Sequence, residues 1–120
     1  MENEQPEEKK KAVKKAKAVD HSAVDHPATC NDPKCPFHGT LSTRGRTLVG
    51  IITAARMRRT ATFQLERRNY VSKYERYEKR RTVLKVHNPD CISAKEGDKV
   101  KIAECRPLSK TKGFVIIKKM

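Results

Sequence analysis

The chain has 120 residues, 36% hydrophobic and 35% charged, which suits one small domain with a tail and leaves material for only a compact core. Its 28 Lys+Arg against 14 Asp+Glu give +14, and the whole excess lies beyond residue 40: residues 1–40 hold seven basic and seven acidic side chains, residues 41–120 hold 21 and seven. Such a surplus calls for a polyanion; with no apolar run near the ~20 residues of a spanning helix and no long basic amphipathic segment, nucleic acid is the expected partner rather than a membrane.

Residues 1–20, MENEQPEEKKKAVKKAKAVD, are rich in Glu, Lys and Ala and have no aromatic residue, so they have nothing to bury and read as a disordered charged tail. The same stretch lacks the apolar core of a secretory leader, which argues against export. The four cysteines are then expected as thiols or metal ligands rather than disulfides. Residues 21–43 form an N-terminal extension containing CNDPKCPFHG. Cys30, Cys35 and His38 stand there in CxxxxC and CxxH spacing, and closely spaced Cys and His are the usual mark of zinc. A tetrahedral site needs a fourth ligand, from His26 or the distant Cys91. Without metal, the loop would stay reduced, with Cys35 packing as a small hydrophobe beside Phe37. Cys91 and Cys105 read as packing residues.

Beyond residue 44 the pattern turns to period two. Residues 46–57, RTLVGIITAARM, read as a first strand whose internal Gly50 suggests a bend or bulge. Arg58 and Arg59 make a basic turn. In residues 60–67 Ala61, Phe63 and Leu65 alternate with polar partners, a second strand in a hairpin with the first. Residues 82–87, TVLKVH, read as a third strand; a loop with at most one helical turn follows and closes on Gly97-Asp98. Residues 99–105 and 114–117 complete a set of five. Five short strands without a convincing long helix predict an all-β protein, a small closed five-stranded barrel of the OB type, because closure removes unpaired edges. Between the second and third strands Tyr70, Tyr74 and Tyr77 are spaced as on a helix. With strands close on both sides, an extended basic hairpin arm is the preferred reading, its tyrosines available to bases or sugars and its cations to phosphates.

Residues 104–114, ECRPLSKTKGF, carry the sharpest signal. Pro107 ends strand bonding and fixes the exit direction, Leu108 can anchor the corner, and Ser109, Thr111 and Gly113 are small enough for another backbone to approach. Arg106, Lys110 and Lys112 supply charge. The string Gly97-Asp98, Val100, Ile102, Glu104, Arg106-Pro107-Leu108-Ser109 closely resembles the signature of the universal ribosomal protein family numbered seventeen in the small subunit. Arg46-Thr47-Leu48-Val49-Gly50, the 57–60 turn, Leu65-Glu66-Arg67 and Val86-His87 follow in that family's order, so the resemblance covers about residues 44–120. CPFHG followed by Arg44-Gly45-Arg46, in a chain of this length, resembles the archaeal branch.

The resemblance implies an OB-fold domain over residues 44–120 that binds small-subunit (16S) rRNA directly, supports its folding and assembly beside neighbouring small-subunit proteins, and works in the cytoplasmic ribosome. It implies no catalytic residue, no required cofactor and no small-molecule substrate; zinc is the one candidate ion. Carried over by position, the RNA contacts are Arg44 and Arg46 at the start of the barrel, Arg58 and Arg59 in the first turn, and Lys73, Arg76, Arg80 and Arg81 on the arm. At the corner they are Arg106, Ser109, Lys110, Thr111 and Lys112. Readout is expected through phosphates and 2′-hydroxyls, because paired RNA hides its base edges. The competing reading is a free-standing OB module or translation factor, which should show stacking aromatics on the barrel face, whereas Phe63 and Phe114 fall at inward positions. An enzyme is disfavoured: His87 has no Ser/His/Asp or paired-carboxylate company in the sequence.

Overall fold

A computed structural model describes residues 30–120; the tail reading for residues 1–20, and His26, lie outside them. Five strands follow in order: β1 (Thr43–Met57), β2 (Thr60–Val71), β3 (Arg76–His87), β4 (Lys99–Cys105) and β5 (Lys112–Lys119). They close into a barrel in the order β1-β2-β3-β5-β4, with β3 and β5 parallel and every other pair antiparallel. This is the expected all-β OB barrel. The strands run longer than the alternation alone outlines: β2 and β3 continue past the core as a ribbon, and β5 begins at Lys112.

The period-two pattern sets the core. Ile52, Ala61, Phe63, Val86, Val100, Ile102 and Ile116 meet inside the barrel with Ala94 from the β3–β4 loop, and Leu48, Leu65, Leu84 and Phe114 pack around them. Phe63 is fully buried and Phe114 packs inward, so neither offers a stacking platform on the barrel face. One strand serves two neighbours: β1 pairs with β4 through Ile51 and with β2 from Ile51 onward.

Gly50 works differently from the bulge expected of it. The register shifts of β1 fall between Thr43 and Thr47 and between Ile52 and Met57, not at the glycine. A Cβ on Gly50 would stand 2.5 Å from the Gln64 carbonyl oxygen and 2.6 Å from Phe63 Cζ. The missing side chain makes room for the Phe63 ring and the β2 backbone at the point of closure.

The tyrosine stripe is not helical. Residues 60–71 of β2 pair one to one with residues 87–76 of β3, ending at Val71↔Arg76, and a single 3-10 turn, Ser72–Tyr74, caps the ribbon. Tyr70 faces Tyr77 across the strands with ring centroids 5.2 Å apart, and Glu75 takes the left-handed conformation that closes the tip. The i, i+7 spacing is a cross-strand pair.

Candidate nucleic-acid interface

The arm projects cations on a ladder with no core beneath it: between Glu66 and Arg81 every residue except Val71 and Glu78 is exposed. Lys73 and Arg76 flank the tip, where Tyr74 and Tyr77 are 67% and 71% exposed, and Lys73 Nζ lies 5.5 Å from the Tyr74 ring centroid. An aromatic of that exposure with a cation over it suits a base or sugar face. Arg80 donates to Glu78 at 2.5 Å and Arg81 to Glu66 at 3.1 Å, so these two guanidiniums are paired with carboxylates of the ribbon itself. Hydrogen bonds from Asn69 and Arg80 hold the Glu78 carboxyl below its usual range.

At the other end of the same ladder, ~35–40 Å away at about 3.4 Å per residue, three predicted pieces come together. Arg58 and Arg59 of the β1–β2 turn and Lys112 at the start of β5 line a hollow of about 330 Å³ with Lys34, Asp32, Pro33 and His87. The corner between β4 and β5 is closed by Leu108 and Ser109 N–H groups donating to the Lys112 carbonyl at 2.8 and 3.4 Å. That leaves Arg106, Ser109, Lys110 and Thr111 on the outside. Thr43 pairs with Cys105 and the Arg46 N–H donates to Glu104 Oε2 at 3.3 Å, so the segment carrying Arg44 and Arg46 lies along the end of β4 that leads into Arg106.

The predicted cations are not equivalent. Arg59 is taken up by carboxylates: its Nε and Nη2 donate to Asp90 Oδ2 at 2.9 and 2.6 Å, and its Nη1 lies 3.8 Å from Asp32. Those bonds hold the Asp90 carboxyl below its usual range. Lys112 Nζ donates to Thr60 Oγ1 at 3.1 Å and tethers the corner to β2. Arg44, Arg58, Lys73, Arg76, Arg106 and Lys110 make no ion pair among the described residues. Two further lysines belong to the surface. Lys85 stands in register with Lys112 across the parallel pair, and Lys34 reaches the hollow from the extension. The alternation of β3 is the signal that could have placed Lys85 outward, while nothing local in the sequence points to Lys34.

The extension packs against this end of the barrel through a buried pair. His87 Nε2 donates to Asp32 Oδ2 at 2.6 Å, and both residues are only 2% exposed. The bond ties the extension to the end of β3, which gives His87 an anchoring role. Beside it Cys91, read above as packing, instead faces the extension: one ligand atom from each of Cys30, Cys35, His38 and Cys91 lies within 4.8 Å of all the others. Cys105 stays a half-buried residue of β4, its thiol pushed up by burial. No helix among the described residues is long and apolar enough to cross a membrane.

The family model described as Ribosomal protein S17 matches residues 50–118. Similar proteins include the small ribosomal subunit protein uS17 of Methanococcus maripaludis, 59% identical over 90 residues, 75% of this chain and 83% of the relative. That of Methanopyrus kandleri is 57% identical over 88 residues (73% and 75%), and that of Methanocaldococcus jannaschii 48% over 91 (76% and 78%). The barrel order, the ribbon and the corner fall within this match. The chain belongs to the ribosomal protein S17 family, alongside its archaeal members.

Proposed function

We propose that this protein is a structural constituent of the small ribosomal subunit that binds small-subunit rRNA directly and supports its folding during assembly. The observation that carries the reading is the placement of charge. The barrel keeps a small apolar core, while cations concentrate on an arm with no packing role and, ~35–40 Å away along the ladder, on the corner and first turn. Two basic ends separated along one ladder suit a folded RNA that is bridged and held in shape, whereas a single strand would lie in one continuous groove. Arg44, Arg58, Lys73, Arg76, Arg106 and Lys110 are the direct phosphate contacts, Ser109 and Thr111 add hydroxyl donors, and Arg46 and Lys112 border them. Arg59, Arg80 and Arg81 shape the surface through their carboxylate partners and reach RNA as part of those networks. The protein acts in the cytoplasmic ribosome beside other small-subunit proteins and performs no catalysis.

A free-standing OB module is less well supported, because the exposed aromatics sit on the arm and not on the barrel face. Sedimentation separates the two: migration with small subunits through a sucrose gradient at moderate salt supports the ribosomal role. Retention at the top of the gradient under those conditions contradicts it.

A further inference from the structure

The Cys/His cluster gathers four metal-ligating donors at close to coordination spacing. Cys35 Sγ lies 3.5 Å from Cys91 Sγ and 3.7 Å from His38 Nδ1, and all four donor atoms lie within 4.8 Å of one another. A tetrahedron with Zn–S ~2.3 Å and Zn–N ~2.0–2.1 Å has edges of about 3.8 Å between sulfurs and ~3.6 Å from sulfur to nitrogen. The two Cys35 spacings fall close to those edges, and the remaining pairs lie no farther apart than 4.8 Å. Three thiols and an imidazole are also a recognised structural zinc set.

The surrounding backbone is built to hold these donors. The Cys35 N–H donates to the Asp32 carbonyl at 3.1 Å and the Gly39 N–H to the Cys35 carbonyl at 3.0 Å, while Asp32 Oδ1 accepts the Lys34 N–H at 3.0 Å. A Cβ on Gly39 would stand 2.4 Å from the Pro33 carbonyl oxygen, so the knuckle that aims Cys35 and His38 closes only with glycine there. Cys91 is presented by a turn in which the Ile92 and Ser93 N–H groups donate to the Pro89 carbonyl at 3.1 and 3.0 Å.

We propose that Cys30, Cys35, His38 and Cys91 bind one structural zinc ion that clamps the N-terminal extension to the β3–β4 loop of the barrel. On binding, three thiol protons leave to solvent, and the cluster passes from neutral to −1, three thiolates around Zn²⁺. A disulfide between Cys35 and Cys91 would account for two of the donors and leave the convergence of Cys30 and His38 without a reason. The ion and the Asp32–His87 bond together fix the wall that carries Lys34 opposite Arg58.

The full chain, purified under reducing conditions without added metal, is expected to carry about one equivalent of zinc by elemental mass spectrometry. Cobalt exchange is expected to give tetrahedral visible bands and a thiolate-to-metal charge-transfer band. His38→Cys, which keeps four donors, should strengthen that band, and Cys105→Ser, outside the site, should leave it unchanged. Cys91→Ser should weaken zinc by more than about a hundredfold; if that variant does not fold, the His38→Cys spectrum still decides. Less than ~0.2 equivalents of zinc with no cobalt bands would overturn the proposal. So would a Cys35–Cys91 disulfide in the native protein, a His38→Cys spectrum identical to wild type, or unchanged zinc affinity in a folded Cys91→Ser.

Discussion

Replacing residues 67–80 with an Asn-Gly turn, so that Glu66 and Arg81 become the last pair of a short hairpin, separates the arm from the barrel. The replacement removes six basic and two acidic side chains and all three tyrosines. If two to three of those cations meet phosphates (Lys73, Arg76 and Arg80), each contributing ~0.7–0.9 to the dependence of log K on log salt, the slope becomes shallower by about 1.5–3. A full-length protein that loses roughly four decades of affinity between ~50 and ~200 mM salt would then lose about two and a half to three. Stability should hardly follow. The arm buries no side chain of its own, the Tyr70–Tyr77 contact is worth about 0.5–1.5 kcal/mol, and a two-stranded ribbon alone is marginal. The melting temperature should therefore stay within about 5 °C of wild type. Binding to small-subunit rRNA over a salt series, beside thermal melting by circular dichroism, reads both. An unchanged salt slope would refute the arm's role, and an unfolded barrel would refute the claim that it carries no packing load.

The corner lysines should differ: Lys110→Ala is expected to reduce the salt slope by ~1 and leave the melting temperature in place, whereas Lys112→Ala also loses its bond to Thr60, about 1 kcal/mol, and melts several degrees lower. Equal melting points for the two variants would contradict this. Gly50→Ala should destabilise by about 1–3 kcal/mol, because the new methyl meets the Gln64 carbonyl and the Phe63 ring; a denaturant midpoint equal to wild type would refute the close-approach account. Acid should weaken the fold: bonds from Lys119 and the Lys95 N–H hold Asp98 below its usual range, and Arg59 does the same for Asp90. Depressed carboxylates stabilise the fold above the ordinary carboxylate range, and that contribution fades as pH falls from about 5 through their lowered values. Melting should drop over that interval and less steeply in Asp98→Asn; a melting temperature flat down to about pH 2.5 would contradict the sign.

What the sequence disclosed follows from which signals are local. Strand alternation named most of the core, since a period of two fixes which side chains face inward, and Pro107 with small neighbours marked the corner. The arm was legible only because strands flank it: a spacing of seven between Tyr70 and Tyr77 fits a helix face and a hairpin pair alike, and only the register settles it. Contacts between distant segments left no such trace. Cys30, Cys35 and His38 showed a local spacing, but Cys91 stands 56 residues from Cys35 and could only be offered beside His26 as the fourth ligand, and Asp32 lies 55 from His87, so the buried pair has no local pattern. The neutralisation of Arg59 by Asp90 was hidden for the same reason, 31 residues apart. Gly50 was correctly marked as unusual, but its cause lies in the neighbouring strand, where Phe63 needs the room.

The most direct test of the whole account is titration of the purified full chain against protein-free small-subunit rRNA across a salt series. A basic barrel bridging folded RNA through some six to ten phosphates predicts tight binding in dilute buffer that falls linearly in log–log form by about a thousandfold or more between ~50 and ~200 mM salt. Absence of binding in dilute buffer, or an affinity that salt leaves untouched, would contradict it.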